Sequence, residues 1–353
     1  MFKKHPKGLI AAALANMGER FGFYTMMAIL SLFLMSKFGL DGTKAGIIYS
    51  IFYFSIYVLA FVGGLIADKT RNFKGTILIG IVLMAIGYFL IAIPTQTPVP
   101  TESFAFYLTM TCLGLFVIAF GNGLFKGNLQ ALVGQMYDNP EYSKMRDSGF
   151  SLFYMFINVG AIFAPLAAVG VRNWWVTSHG FQYNSDLPTL CHEHLSGNIS
   201  TGAATRFQEL ATTVGYQGTD LTTFAKEYLN LFATGFHYAF GVAIFAMIIS
   251  LVIYLTNKSK FPDPATKDKA NGSHVPEMDI KEIKQRLYAL YAVFAVVIFF
   301  WFSFHQNGLT LTYFAKDYTD LSNININLGF TTLRGAELFQ SINPFFVVFL
   351  TSV

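Results

Sequence analysis

Charge is scarce in this 353-residue chain: Asp, Glu, Lys and Arg make up 12% of it, against about 25% in typical soluble domains. So low a share over so long a chain excludes an ordinary soluble enzyme. The 54% share of hydrophobic residues excludes intrinsic disorder as well. Cysteine is almost missing. Cys112 lies in an apolar run and Cys191 in a polar one, so neither a disulfide framework nor a pairing of the two is expected. Strand-like alternation is lacking, which leaves a membrane β-barrel unsupported. The sequence carries no phosphate loop and no nucleophile–base constellation. Cys191-His192-Glu193-His194 has metal-ligating residue types, but its spacing matches no zinc framework. No cofactor, no metal and no enzymatic activity are therefore expected. The net charge of +4 needs no nucleic acid partner, because cytoplasmic loops of membrane proteins attract Lys and Arg.

Apolar and aromatic residues are plentiful, with 38 Phe and 18 Tyr, and the mean hydropathy is +0.47. A bilayer-spanning helix needs about 20 mostly apolar residues. Such runs lie near 9–35, 45–67, 76–93, 104–125, 149–171, 232–255 and 288–314, and an eighth begins near Ser341. The basic segment Met1 to Lys7 precedes an apolar stretch without a small-residue cleavage site, so it reads as the start of a first span, not a signal peptide. The expected fold is an all-α polytopic membrane protein, since helices satisfy their own backbone in lipid. With the N-terminus in the cytoplasm, inside segments hold fifteen Lys and Arg and outside segments seven, Lys37 and Arg172 among the latter. That asymmetry supports the orientation. The outside stretch 172–231 is long and polar, and reads either as a small cap or as a mobile loop. The stretch 256–287, with Pro262, Pro264, Asn271, Gly272 and a basic cluster, reads as a cytoplasmic linker. The expected plan is a six-helix bundle over 1–255, the linker 256–287, and the start of a second bundle over 288–353. A run that stops at Val353 inside an apolar stretch is expected to be C-terminally truncated.

Several polar residues interrupt the spans. Glu19 and Arg20 fall in the middle of the first. A charge at the bilayer centre costs about 2.5–3.5 kcal/mol on insertion scales, so such residues face a bundle interior or a wet cavity. Asn16, Arg20 and Tyr24 share one helical face, with Glu19 and Phe23 beside it. The face serves either a transport pathway or a structural ion pair. Lys126 follows Gly121-Asn122-Gly123 in the fourth span, and an Arg and a Lys in one cavity would attract a carboxylate. The alternative is a Lys snorkelling to the interface. Gly63-Gly64-Leu65-Ile66-Ala67-Asp68 ends the second span, where Asp68 could latch a closed state. Asn158 in the fifth span reads as a buried amide needing a partner, either another helix or a substrate. His305, in Trp301-Phe302-Ser303-Phe304-His305, is the only titratable side chain in its run and a candidate proton site, or else a satisfied neutral His. His237, nearer the end of the sixth span, reads as structural.

These motifs together resemble the proton-dependent oligopeptide transporter family of the major facilitator superfamily, over essentially the whole chain except 172–231. Glu19-Arg20-Phe21 matches the second half of the family's first-helix signature, Glu-x-x-Glu-Arg-Phe. Gly63 to Asp68 is similar to the superfamily's inner-loop motif. Phe153-Tyr154-x-x-Ile157-Asn158-x-Gly160 resembles the fifth-helix signature, Lys126 falls on the family's fourth-helix Lys, and Gln306-Asn307-Gly308 on its seventh-helix Gln-x-Gly. The resemblance implies that Arg20 and Lys126 hold a peptide carboxylate, that Tyr24, Tyr57 and Asn158 shape the peptide site, and that Glu19 and His305 take part in proton coupling. Gly64 and Asp68 would gate the inner side. The implied function is proton-driven import of di- or tripeptides by alternating access, with peptide, protons and the lipid bilayer as partners, in the bacterial inner membrane.

The chain departs from the pattern at Asn16, Phe23, Met27 and His305, which stand where the family has an acid, a Tyr, an Arg and an acid. Two carboxylates tied to coupling are thus replaced. The linker 256–287 is also too short for the two extra spans of many bacterial members. Transport of another small anion, such as nitrate or an organic acid, and a non-transporting membrane scaffold remain as alternatives.

Overall fold

The structure is a computed structural model, and it describes residues 5–262 and 279–351. Among them, seven helices are long and apolar enough to cross a membrane. Helix α1 (Lys7–Phe38) is buried along most of its length and packs against α5 (Arg146–Ser178) and α8 (Leu221–Asn257). Helices α2 (Gly42–Thr70) and α3 (Phe73–Ala92) each pack on α4 (Phe104–Met136), and α3 also meets α8. These six correspond to the first six expected spans, with ends that run further into the flanking polar sequence.

Local chemistry sets those ends. Gly39, in the left-handed region at φ 62°, closes α1, and its N–H bonds Met35 O at 2.9 Å. Asp41 caps α2 by accepting from Lys44 N at 2.8 Å, and Asn72 caps α3 by accepting from Gly75 N at 2.9 Å. Helix α2 meets α4 where Gly63 faces Gly123. A Cβ on Gly63 would run into the Gly123 carbonyl, so small residues here allow the backbones to touch. With water excluded, side chains also bond across helices: Ser250 Oγ to Ala15 O at 2.7 Å and Tyr254 OH to Lys74 O at 3.0 Å.

The stretch 172–231 is largely helical rather than a loop. Helix α5 continues to Ser178, then α6 (Leu187–Leu195) and α7 (Thr201–Thr213) follow, and α8 starts at Leu221. Phe181, Phe207, Phe224 and Tyr228 form an aromatic core beneath this cap. His192 fastens the cap to α1 by donating from Nε2 to Ser36 O at 2.8 Å.

The stretch expected to be linker is partly helical: α8 runs to Asn257, a 3-10 turn follows at Lys258–Lys260, and α9 (Ile280–Phe304) begins at Ile280, while residues 263–278, with Lys267 and Lys269, lie outside the described residues. The seventh span is also not continuous to 314. It breaks into a 3-10 turn at His305–Gly308 and resumes as α10 (Thr310–Tyr318). Strands β1 (Ile326–Asn327) and β2 (Thr332–Leu333) form a short antiparallel ladder, a small departure from an all-α chain, and α11 (Ile342–Thr351) follows a 3-10 turn at Ala336–Ser341. That turn and α11 pack against α5. Lys37 and Arg172, counted above as outside loop charges, are instead buried at helix ends.

Candidate functional site

Glu19 is fully buried and Arg20 is 5% exposed. The Arg20 side chain folds back on its neighbour, donating from Nε and Nη2 to the two Glu19 oxygens at 2.5 and 2.7 Å. This forked pairing is the strong geometry for guanidinium and carboxylate. Asn122 Nδ2 of α4 adds a third donor to Glu19 at 2.8 Å. Phe23 lies under the guanidinium, 4.8 Å from ring centroid to Cζ. The charge pair is thus compensated within apolar surroundings, as burial of ions demands. Asn16, at the position of the family's first acid, is buried with its Nδ2 unpartnered.

Beside this pair lies a cavity of about 140 Å³ between α1, α2, α5 and the later segments. Its walls include Tyr24, Met27, Tyr49, Tyr53, Asn158, His305 and Asn343. Tyr49, Tyr53 and Tyr57 recur every fourth residue on one face of α2. Tyr49 and Tyr53 stack at 6.2 Å, and Tyr53 and Tyr57 stand 5.7 Å apart. Lys126 Nζ sits 5.2 Å from the Tyr57 ring centroid. Midway along this row, Tyr53 OH is 3.2 Å from His305 Nδ1, and the His305 ring stacks on Trp301 at 5.0 Å. His305 and Lys126 therefore bracket Tyr57 instead of touching. Gly308 belongs to the same contact, since a Cβ there would strike the Tyr49 hydroxyl.

The structure brings Glu19, Arg20, Tyr24, Tyr57, Lys126, Asn158 and His305 around one region between the helices. Lys126 lies well inside α4, which runs on to Met136, so it is not a snorkelling end residue. Among the described residues it has no carboxylate within ion-pair distance, and Glu19 pairs with Arg20 alone. Asn158 is only half-buried. Its amide bonds Tyr154 O of its own helix at 3.0 Å and it lines the cavity, so of the two expected partners, another helix or a substrate, the side chain is placed for the second, although it is less buried than expected. A polar group beside open space does not need a second helix. Gly64 and Asp68 lie apart from this region, towards the exposed end of α2, with open space around Gly64.

The sequence reading did not single out Asn122, Tyr49 and Tyr53, although the four-residue spacing of the α2 tyrosines was a usable signal. It also missed Arg172. This residue, fully buried in α5, is ion-paired to the equally buried Glu337. Asn173 Nδ2 bonds Thr332 O at 2.8 Å and Arg334 O at 3.1 Å, Thr331 bonds Gly170 O at 2.9 Å, and Ser341 bonds Ile162 O at 2.8 Å. Together these tie the six-helix bundle to the segment after α10.

Long apolar helices around a buried ion pair and an aromatic cavity define an all-α polytopic membrane protein with a polar site between its helices. A sequence profile of the POT family (PTR2) matches residues 74–278. The chain belongs to the POT family. It is 28% identical to peptide transporter YePEPT of Yersinia enterocolitica over all of its own length and 67% of that protein. It is 33% identical to dipeptide and tripeptide permease A of an Enterobacter species over 53% of this chain and 35% of that one. The chain thus spans about two thirds of the length of YePEPT. Among solved structures, the peptide transporter POT in complex with sulfate matches at TM-score 0.64 and 23% identity, covering 99% of this chain and 68% of that one. A POT family transporter in complex with 5-aminolevulinic acid matches at TM-score 0.59 and 21% identity, covering 99% and 69%. At that identity the likeness speaks for the major facilitator fold alone.

Proposed function

We propose that the protein imports di- and tripeptides together with protons, by rocking two helix bundles about the cavity beside Arg20 and Lys126. The observation that carries this reading is the unequal state of the two cations. Arg20 is occupied by Glu19, while Lys126 lies against the Tyr57 ring and, among the described residues, has no carboxylate within ion-pair distance. Lys126 is free to receive a peptide carboxylate. Arg20 becomes free only when Glu19 gives up its negative charge to a proton, so substrate and proton favour the same rearrangement. Tyr24, Asn158 and His305 line the cavity; the first two contact the peptide, and His305 serves as a second proton site. Gly64 and Asp68 serve the inner gate, on the cytoplasmic side where the N-terminus also lies. The names of the permease and peptide transporter relatives support this substrate class.

A second reading keeps the fold and changes the cargo to another small anion, because Lys126 and Arg20 recognise a carboxylate whatever follows it. Displacement of bound labelled dialanine separates the two. If unlabelled di- and tripeptides displace it and nitrate or acetate do not, the peptide reading holds. If dialanine does not bind and the small anions do, the second reading replaces it.

A further inference from the structure

Unlike Arg20 and Arg172, a further buried cation, Lys37, has no carboxylate partner among the described residues. Lys37 sits in the last turn of α1 and is 2% exposed. Its ammonium donates to His237 Nε2 of α8 at 2.7 Å and to Thr95 Oγ1. His237 Nδ1 donates to Ile91 O at 2.7 Å. That bond fixes the tautomer: Nδ1 carries the hydrogen, and Nε2 offers its lone pair to Lys37. Both partners of Lys37 are therefore neutral. An ammonium has three donors, and among the described residues two of them are used. Among the described residues no carboxylate lies within ion-pair distance of Lys37. The rings of Phe33 and Phe38, 5.6 and 5.9 Å from Nζ, give only weak compensation. Buried charges are paired as a rule, and this one is not.

The ammonium does not face solid protein. Lys37, Thr95 and His237 form the polar floor of a cavity of about 150 Å³ between the ends of α3 and α4. The walls are apolar, from Leu90, Ile91, Phe106 and Met110. Two of its lining residues, Ile93 and Phe106, are exposed large hydrophobics. A cation at the floor of a greasy cleft fits a single anionic oxygen group on an apolar body.

We propose that this cleft binds a carboxylate: the head group pairs with the Lys37 ammonium and is oriented by Thr95 Oγ1, and any hydrocarbon tail lies along Phe106 and Met110. This site is separate from the Arg20–Lys126 cavity and does not depend on the peptide reading. The ligand class can come from two sources, a fatty acid of the bilayer or a short free carboxylate.

The test is the thermal unfolding midpoint of the purified chain in uncharged detergent, titrated with oleate, with acetate and with the uncharged methyl ester of oleic acid. A ligand that binds only the folded state raises the midpoint with concentration. Lys37→Met removes an uncompensated buried charge and is expected to fold. Lys37→Arg keeps the charge. Oleate is expected to raise the midpoint of the wild type and of Lys37→Arg, with affinity about tenfold or more weaker in Lys37→Met, as for loss of a hydrogen-bonded charge. A rise with oleate alone assigns the site to a bilayer fatty acid, and an equal rise with acetate assigns it to a free carboxylate. The proposal is overturned if neither carboxylate shifts the wild type, if Lys37→Met responds as the wild type does, or if the methyl ester works as well as oleate.

Discussion

Glu19, Arg20 and Lys126 are conspicuous in the sequence because each interrupts an apolar run, where a charge is costly and must have a use. What the sequence does not disclose is which charge holds which. Arg20 can reach Glu19 only because the guanidinium arm folds back along its own helix, and Asn122 completes the carboxylate's hydrogen bonds from α4. Substituting Glu19→Gln removes the charge that occupies Arg20. Dialanine exchange is then expected to persist, while accumulation driven by a proton gradient is lost; retention of full accumulation would exclude Glu19 from coupling. Lys126→Gln removes the unoccupied cation, and the KM for dialanine is expected to rise about tenfold to a hundredfold, the worth of a charge-assisted hydrogen bond. An unchanged KM would place the carboxylate elsewhere. His305→Gln is expected to abolish gradient-driven uptake and to spare counterflow exchange, and driven uptake at the wild-type rate would contradict its role. The sequence left the partner of Asn158 open, because periodicity places a residue on a face but does not say whether that face meets another helix or open space; here it lines the cavity.

Among the elements, the membrane helices were legible because about 20 apolar residues in a row admit little else. The break at His305–Gly308 was not, since apolar residues continue on both sides of it. The cap helices were also hidden, because α6 and α7 are short, polar and held by a few aromatic residues that a composition count overlooks. The cap's fastening to α1 has a pH dependence. Burial, partly opposed by the bond to Ser36 O, holds the His192 imidazole below its ordinary value of 6.5. The folded state thus takes up a proton less readily than the unfolded one. The contribution of His192 is fully present above about pH 6.5 and is lost as pH falls below it. Amide exchange in α6 is expected to speed up between pH 6.5 and 5 relative to a neutral-pH reference, beyond the intrinsic rate. His192→Gln, which keeps a donor for Ser36 O but does not titrate, is expected to flatten that change.

For the molecule as a whole, the contacts between the six-helix bundle and the later segments gather at the end of α5, around Arg172 and Glu337. These partners are 165 residues apart, and nothing local in either stretch announces the other. Each was legible as a charge, neither as a latch. Breaking a buried ion pair from one side costs about 3–5 kcal/mol, because the remaining charge is stranded. Glu337→Gln is therefore expected to weaken the docking of the later segment on α5 by about a hundredfold or more. Distances between spin labels at Ser178 and Ser322, both exposed, would lengthen or broaden in the variant. An unchanged distribution would show that the hydrogen bonds of Asn173 and Thr331 hold this end without the ion pair.

The most direct test of peptide–proton symport is uptake of labelled dialanine into proteoliposomes holding the full-length protein, with and without an inward proton gradient. The account predicts accumulation above equilibrium only with the gradient, despite Asn16 and His305 at the positions of family acids. Equal uptake with and without the gradient, or no dialanine movement at all, would contradict it.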